Sequence, residues 1–166
     1  AEEVEATLIV CGRNGHATSE LKRIHAETGL GDRVRFLGNR DDVPEILAAA
    51  DIFAFPSVYE GLGGAVIEAM ALGLPVVCSD IPALREVVEQ ERNARLVPSM
   101  DPRAMARALR TILEEPTMAD RMGRRSRRIF LERFTLERSA QRMIDLYREV
   151  SGHGRGKDVP VAIPLS

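Results

Sequence analysis

Residues 52–79 read IFAFPSVYEGLGGAVIEAMALGLPVVCS, and this stretch decides the fold. Ile52-Phe53-Ala54-Phe55 is a short apolar run stopped by Pro56, the pattern of a buried strand. A helix from about Gly63 to Leu72 follows, and Pro75-Val76-Val77-Cys78 is the next strand. Strand, glycine-rich loop, helix and strand in this order make a βαβ unit, whose two strands run parallel.

The alternation continues on both sides. Upstream, Thr7-Leu8-Ile9-Val10-Cys11 reads as a strand ended by Gly12, and Ser19 to Thr28 as a helix stopped by Gly29. Arg33 to Leu37 is a strand ended by Gly38, and Asp42 caps a short helix that runs through Ala50. Downstream, Ala83 to Glu89 is helical and Arg95-Leu96-Val97 is a fifth strand. Three helices then follow without strands: one capped by Asp101 with Pro102 at its first position, one from about Met118 to Arg133, and one from Thr135 to Val150. The expected fold is α/β, a Rossmann-like parallel sheet with helices on both faces. Residues 1–150 form the domain, with the C-terminal helices from about 101. Residues 151–166 carry Gly, Pro and His without periodicity and read as a flexible tail.

Composition narrows the function. The 166 residues fit one domain, 45% of them hydrophobic and 29% charged, which excludes a disordered chain. Lys and Arg total 23 against 25 Asp and Glu, a net charge of −2 that disfavours a nucleic-acid binder. Cys11 and Cys78 lie in apolar runs and are expected to be buried and reduced. Neither has metal-ligand spacing, and His16, His25 and His153 are scattered; only His16, on the functional rim, merits a test. Met70, Met105, Met122 and Met143 fall at core-like helix positions. The acidic start Ala1-Glu2-Glu3 is no signal peptide. A start without Met, almost directly in a strand, is expected of a piece of a longer protein.

Ligands of such sheets bind beyond the carboxyl ends of the strands. This rim collects Gly12-Arg13-Asn14-Gly15, Gly38-Asn39-Arg40, Pro56 to Gly64, and Ser79-Asp80. Gly63 and Gly64 would let an anion approach the free N–H groups at the positive end of the following helix. A plain tight turn accounts for the glycines equally well. Glu68 is the one charge on an otherwise apolar helix, so it is expected to be buried and to need a partner, either a ligand or a structural Arg. It lies four residues beyond Gly64, on the same side and about 6 Å along the axis. A phosphate at the helix tip and sugar hydroxyls one turn deeper would satisfy both. Glu60 would face the same crevice from the loop, although taken by itself it reads more simply as an exposed loop carboxylate.

Glu60 and Glu68, seven residues apart in between, resemble the Glu-x7-Glu signature of retaining glycosyltransferases of the GT-B fold, family-four type. The surrounding text agrees: Phe55-Pro56-Ser57, Tyr59-Glu60-Gly61, Glu68-Ala69-Met70-Ala71, Gly73-Leu74-Pro75-Val76-Val77, Arg85-Glu86-Val87-Val88, and Leu96-Val97-Pro98 before Asp101-Pro102. The likeness covers roughly residues 7–150, to the C-terminal, donor-binding domain. It implies that Glu60, the catalytic-site carboxylate, meets hydroxyls of the donor sugar and that Glu68 binds the ribose. It places the amides of Leu62, Gly63, Gly64 and Ala65 on the diphosphate, the Gly12-Arg13 turn near the phosphates, and Asn39 and Arg40 near the base. No metal or other cofactor is implied, and the chain has no Asp-x-Asp pair.

The resemblance also implies what this chain lacks. The family's domain opens with a central strand and a loop whose Arg and Lys neutralise the diphosphate, and an acceptor-binding N-terminal domain precedes it. Neither is present, so the chain by itself is expected to be inactive, with its sheet completed by another segment or by a homo-oligomer. Leu62 stands where the family commonly has Phe. The donor would be a UDP-, GDP- or ADP-linked sugar, used in the synthesis of glycans or cell-surface polysaccharides. The expected location is cytoplasmic, with peripheral contact at the inner membrane face as a variant. A non-catalytic nucleotide-sugar-binding module and a GT-B-like nucleotide-sugar epimerase are the alternatives. The cluster Arg121, Arg124, Arg125, Arg127 and Arg128 fits a solvated face paired with Glu132, Glu137 or other acids, or an anionic membrane; with few aromatics nearby, nucleic acid fits it poorly.

Overall fold

A computed structural model of the chain describes residues 5–15 and 17–152. The expectations for His16, His153 and most of the tail lie outside them. The elements are β1 (Leu8–Cys11), α1 (Thr18–Thr28), β2 (Val34–Gly38), α2 (Val43–Ala48), β3 (Phe53–Phe55), α3 (Gly64–Ala71), β4 (Val76–Ser79), α4 (Pro82–Val87), β5 (Ala94–Val97), α5 (Pro102–Glu114), α6 (Pro116–Arg133) and α7 (Leu136–Val150). Each expected strand and helix is present, with ends that move by one to a few residues.

All strand pairs are parallel, but the described strands form two sheets rather than one. One has the order β1-β2, with Leu8 opposite Val34 and Val10 opposite Phe36. The other has the order β3-β4-β5, with Phe53 opposite Val76 and Cys78 opposite Leu96. Among the described residues, β1 and β3 each keep one unpaired edge. In a doubly wound sheet the strand order reverses at the centre.

The core belongs to the second sheet. Every residue of β4 is buried. Its side chains alternate in direction. Val76 and Cys78 join Val66, Met70, Leu84, Val87 and Ile129 on one face, and Val77 joins Val97, Ile112, Met118 and Met122 on the other. By contrast β1, α1 and β2 contain no buried residue. Leu8 is 51% exposed, and Leu21 and Ile24 are exposed as well. Cys11 is exposed, against the expectation of burial, because the sheet edge it sits on has nothing packed over it. Met70 and Met122 pack as expected, whereas Met143 is exposed on α7.

Asp101 caps α5 by accepting the Ala104 N–H at 2.9 Å, and Thr135 caps α7 from Arg138 at 3.3 Å. Asp42 does not cap α2: its carboxylate is taken by the Arg40 guanidinium, Nε to Oδ1 2.7 Å. Helix α6 is held by close approach and by its arginines. A Cβ on Gly123 would collide with the Gly73 carbonyl oxygen of the turn before β4. Arg125 binds Glu89 through contacts of 2.7–3.0 Å, Arg124 pairs with Asp120, and Arg127 and Arg133 donate to the carbonyls of Ala71 and Glu86. Of the cluster, Arg124 and Arg125 thus pair with acids, as expected, and Arg127 with a backbone carbonyl; among the described residues these acids are Asp120 and Glu89 rather than Glu132 or Glu137. Buried Asn93 accepts from the Glu89 N–H at 2.7 Å and donates to Ser126 Oγ at 3.2 Å, tying the same corner to α6.

Two outcomes follow. Alanine favours a helix over glycine by about 1 kcal/mol, but overpacking against backbone costs about 1–3 kcal/mol, so Gly123→Ala is expected to lower stability in urea denaturation. A variant as stable as the parent contradicts the close approach. Hydrogen bonds from Arg125 hold the Glu89 carboxyl below the usual glutamate range. A depressed folded value gives stability that is present above the ordinary value of 4.5 and is lost as pH falls through the folded value. Glu89→Gln should therefore be less stable than the parent at pH 7, with the gap closing below pH 4.5. A constant gap across that range would exclude this ion pair as its source.

Candidate functional site

The loop from Pro56 to Gly63 joins the C-terminal end of β3 to the start of α3. Gly63 is the residue before the helix, with φ 77° and ψ 45°, and it is buried. Side-chain-bearing residues rarely adopt this left-handed conformation. A Cβ there would also lie 2.5 Å from Leu84 Cδ2, so α4 abuts the helix start. Gly63 oxygen accepts the N–H groups of Val66 and Ile67 at 3.0 and 3.2 Å. The amides of Gly64 and Ala65 precede the helical ladder and have no acceptor within it. No acidic residue occupies the first turn, so the positive end of the dipole is not neutralised from within the helix. Gly64 is exposed, and a Cβ on it would meet nothing within 4 Å.

Glu68 is exposed, which corrects the expectation of burial. Val66, Ala69 and Met70 turn inward, while Gly64, Glu68 and Leu72 form a stripe that the described chain leaves open. Among the described residues no hydrogen bond or ion pair engages the Glu68 carboxylate, so no structural arginine fills that role. Glu60 is half-buried, and its Oε1 lies 2.8 Å from Ser57 Oγ. Beside it Val58, Tyr59 and Leu62 are exposed at 62%, 85% and 63% and form an apolar lip.

The loop and helix thus bring together Glu60, Leu62, Gly63, Gly64, Ala65 and Glu68. The other expected residues sit on the rim of the β1-β2 sheet. The Gly12 N–H donates to Gly38 oxygen at 2.9 Å, and Arg13, Asn39 and Arg40 are exposed nearby at the strand ends. Residues Asn39 to Asp42 line a concavity of about 310 Å³. The Asp42 carboxylate raises the Arg40 pKa and is itself lowered, so both stay charged. A larger cleft of about 580 Å³ lies at the opposite end of the strands, between the end of α3, α5 and α6, away from both groups.

Two features escape sequence reading. Asp80, after β4, binds Arg85 of α4 through two hydrogen bonds of 2.5 and 2.9 Å, which holds the Asp80 carboxyl low. Ser57 reaches Glu60 across three positions, a spacing that hints at a turn but not at which groups meet. Burial pushes the Cys78 thiol up to about 12, so it stays protonated and is no nucleophile.

Comparison with known proteins places this geometry. Residues 1–115 match the family model for the group 1 glycosyl transferases. The chain is similar to a D-inositol 3-phosphate glycosyltransferase of Salinispora tropica, 34% identical over 159 residues that cover 91% of this chain and 32% of that protein. Among solved structures it resembles sucrose-phosphate synthase from Thermosynechococcus elongatus, with TM-score 0.77 and 34% identity over 89% of this chain and 39% of that one. It also resembles Anabaena HepE in complex with UDP, with TM-score 0.80 and 28% identity over 87% and 41%. The chain spans about a third of the length of the curated relatives it matches.

The two glycines are expected to separate cleanly. Gly63→Ala should cost about 1–2 kcal/mol for left-handed backbone, measured by denaturant unfolding. Gly64→Ala should leave stability unchanged or slightly raised. Equal effects would show that the turn does not require glycine.

Proposed function

We propose that this chain, which belongs to the group 1 glycosyl transferases, is the donor-binding part of a retaining glycosyltransferase. The observation that carries the reading is the start of α3: an acid-free helix N-terminus behind a buried left-handed Gly63, with Glu60 before it and an unpartnered Glu68 one turn inside. The amides of Leu62, Gly63, Gly64 and Ala65 meet the diphosphate of a nucleotide-sugar. Glu68 accepts hydroxyls of the ribose, and Glu60 accepts hydroxyls of the sugar. Gly12 and Arg13 lie toward the phosphates, and Asn39 and Arg40 toward the base. The HepE structures hold UDP or UDP-glucose, which supports a nucleotide-sugar here.

In the reaction, the bond from the sugar's anomeric carbon to the phosphate oxygen breaks, and charge grows on the departing diphosphate. Helix amides aimed at that position stabilise it as it forms. The acceptor hydroxyl attacks from the same face, forms the new glycosidic bond and passes its proton to the leaving phosphate. No enzyme nucleophile is needed, and this reading assigns no role to a metal ion. The acceptor is bound by a domain upstream of this chain, and a strand with its cationic loop completes the sheet between β1 and β3. We assign the protein to the cytoplasm, and its product to glycans or cell-surface polysaccharides.

Calorimetric titration with UDP, GDP and ADP tests the reading. One of them should bind saturably, and Glu68→Ala should weaken it at least tenfold. At 100 times its dissociation constant the nucleotide should stabilise the fold by about 2.7 kcal/mol. Failure of all three to bind, to the chain alone and with an upstream strand and loop supplied, overturns the proposal.

A further inference from the structure

We propose that Ser57 is a positioning residue that holds the Glu60 carboxylate for the sugar; this rests on the donor-site reading above. Ser57 Oγ lies 2.8 Å from Glu60 Oε1 and 3.0 Å from the Tyr59 carbonyl oxygen. The hydroxyl has one proton for two acceptors. The Glu60 oxygen is the nearer of the two, so it takes the bond.

Glu60 needs such a holder and Glu68 does not. Glu68 is carried by α3, whose backbone fixes its direction. Glu60 stands in a loop, on a side chain with among the largest rotamer freedoms of any residue. Its neighbours Val58, Tyr59, Gly61 and Leu62 are exposed. No cation pairs with it among the described residues. Ser57, however, sits two residues beyond β3, where Phe55 is in register with Cys78 of the buried strand β4. Pro56 between them fixes its own φ. The hydrogen bond thus ties a loop carboxylate to the rigid sheet. It engages one lone pair of Oε1 and leaves Oε2 free to accept sugar hydroxyls.

The test compares each nucleotide-sugar with its free nucleotide: UDP-glucose with UDP, GDP-mannose with GDP, and ADP-glucose with ADP. For the pair that binds, Ser57→Ala should raise the dissociation constant of the nucleotide-sugar about tenfold and move that of the nucleotide less than twofold. Ser57→Thr, which keeps the hydroxyl, should restore the parent value. Glu60→Gln should lose the sugar preference too, and Ser57→Ala should add nothing on that background. If Glu60→Gln loses the preference and Ser57→Ala keeps it, the positioning role is overturned and the donor-site reading stands. Equal weakening of nucleotide and nucleotide-sugar by Ser57→Ala, without rescue by threonine, marks a structural role and overturns it as well. If Glu60→Gln leaves the preference intact, or no pair binds either to the chain alone or with an upstream strand and loop supplied, the donor-site reading falls and takes this inference with it.

Discussion

Burial of β4 on both faces is the constraint from which the rest of the ordered core follows. Val76 and Cys78 organise the cluster that seats α3, α4 and α6, and Val77 organises the one that seats α5 and the start of α6. Because β4 is central, β3 beside it is fixed in register, and so is the point at which the chain leaves β3 for the loop. The same packing brings Leu84 of α4 against Gly63. Core and site are therefore one arrangement: the residues that bury apolar surface also set where the helix amides point.

The electrostatics divide along similar lines. Several charges away from α3 are paired: Arg125 with Glu89, Arg85 with Asp80, Arg124 with Asp120, and, on the rim, Arg40 with Asp42. Glu68, on the open stripe of α3, has no such partner among the described residues. An arginine-rich helix looks from composition like a surface for an anionic partner. Two of its side chains, Arg127 and Arg133, reach the Ala71 and Glu86 carbonyls and lie over Phe130 and Phe134.

Much of this was legible beforehand. Short apolar runs, four of them ended by Gly or Pro, marked all five strands, and the Asp101 and Thr135 caps marked two helix starts, because these signals act locally. The spacing of Gly63, Gly64 and Glu68 indicated the shared helix end. What escaped were properties set by neighbours distant in sequence. The exposure of Cys11 and Glu68 depends on what does not pack over them, and an apolar pattern cannot reveal that. Asp42 has the right identity and position for a cap, but Arg40 competes for its carboxylate at 2.7 Å. The division into two sheets is likewise set by pairings between strands, which no single apolar run shows.

That division has a consequence for how cooperatively the chain behaves. The β1-α1-β2 segment holds no buried side chain, whereas the β3-β4-β5 segment contains both faces of the central strand. Local opening free energies scale with such burial, from near zero at frayed elements to the global value in a core. Amide hydrogens of the first segment therefore exchange with solvent through shallow openings, and those of β4 only through global unfolding. Gly12, Arg13, Asn39 and Arg40 sit on the shallow side, so a ligand that touches both rims gives up part of its binding free energy to order the first segment and is coupled to it thermodynamically.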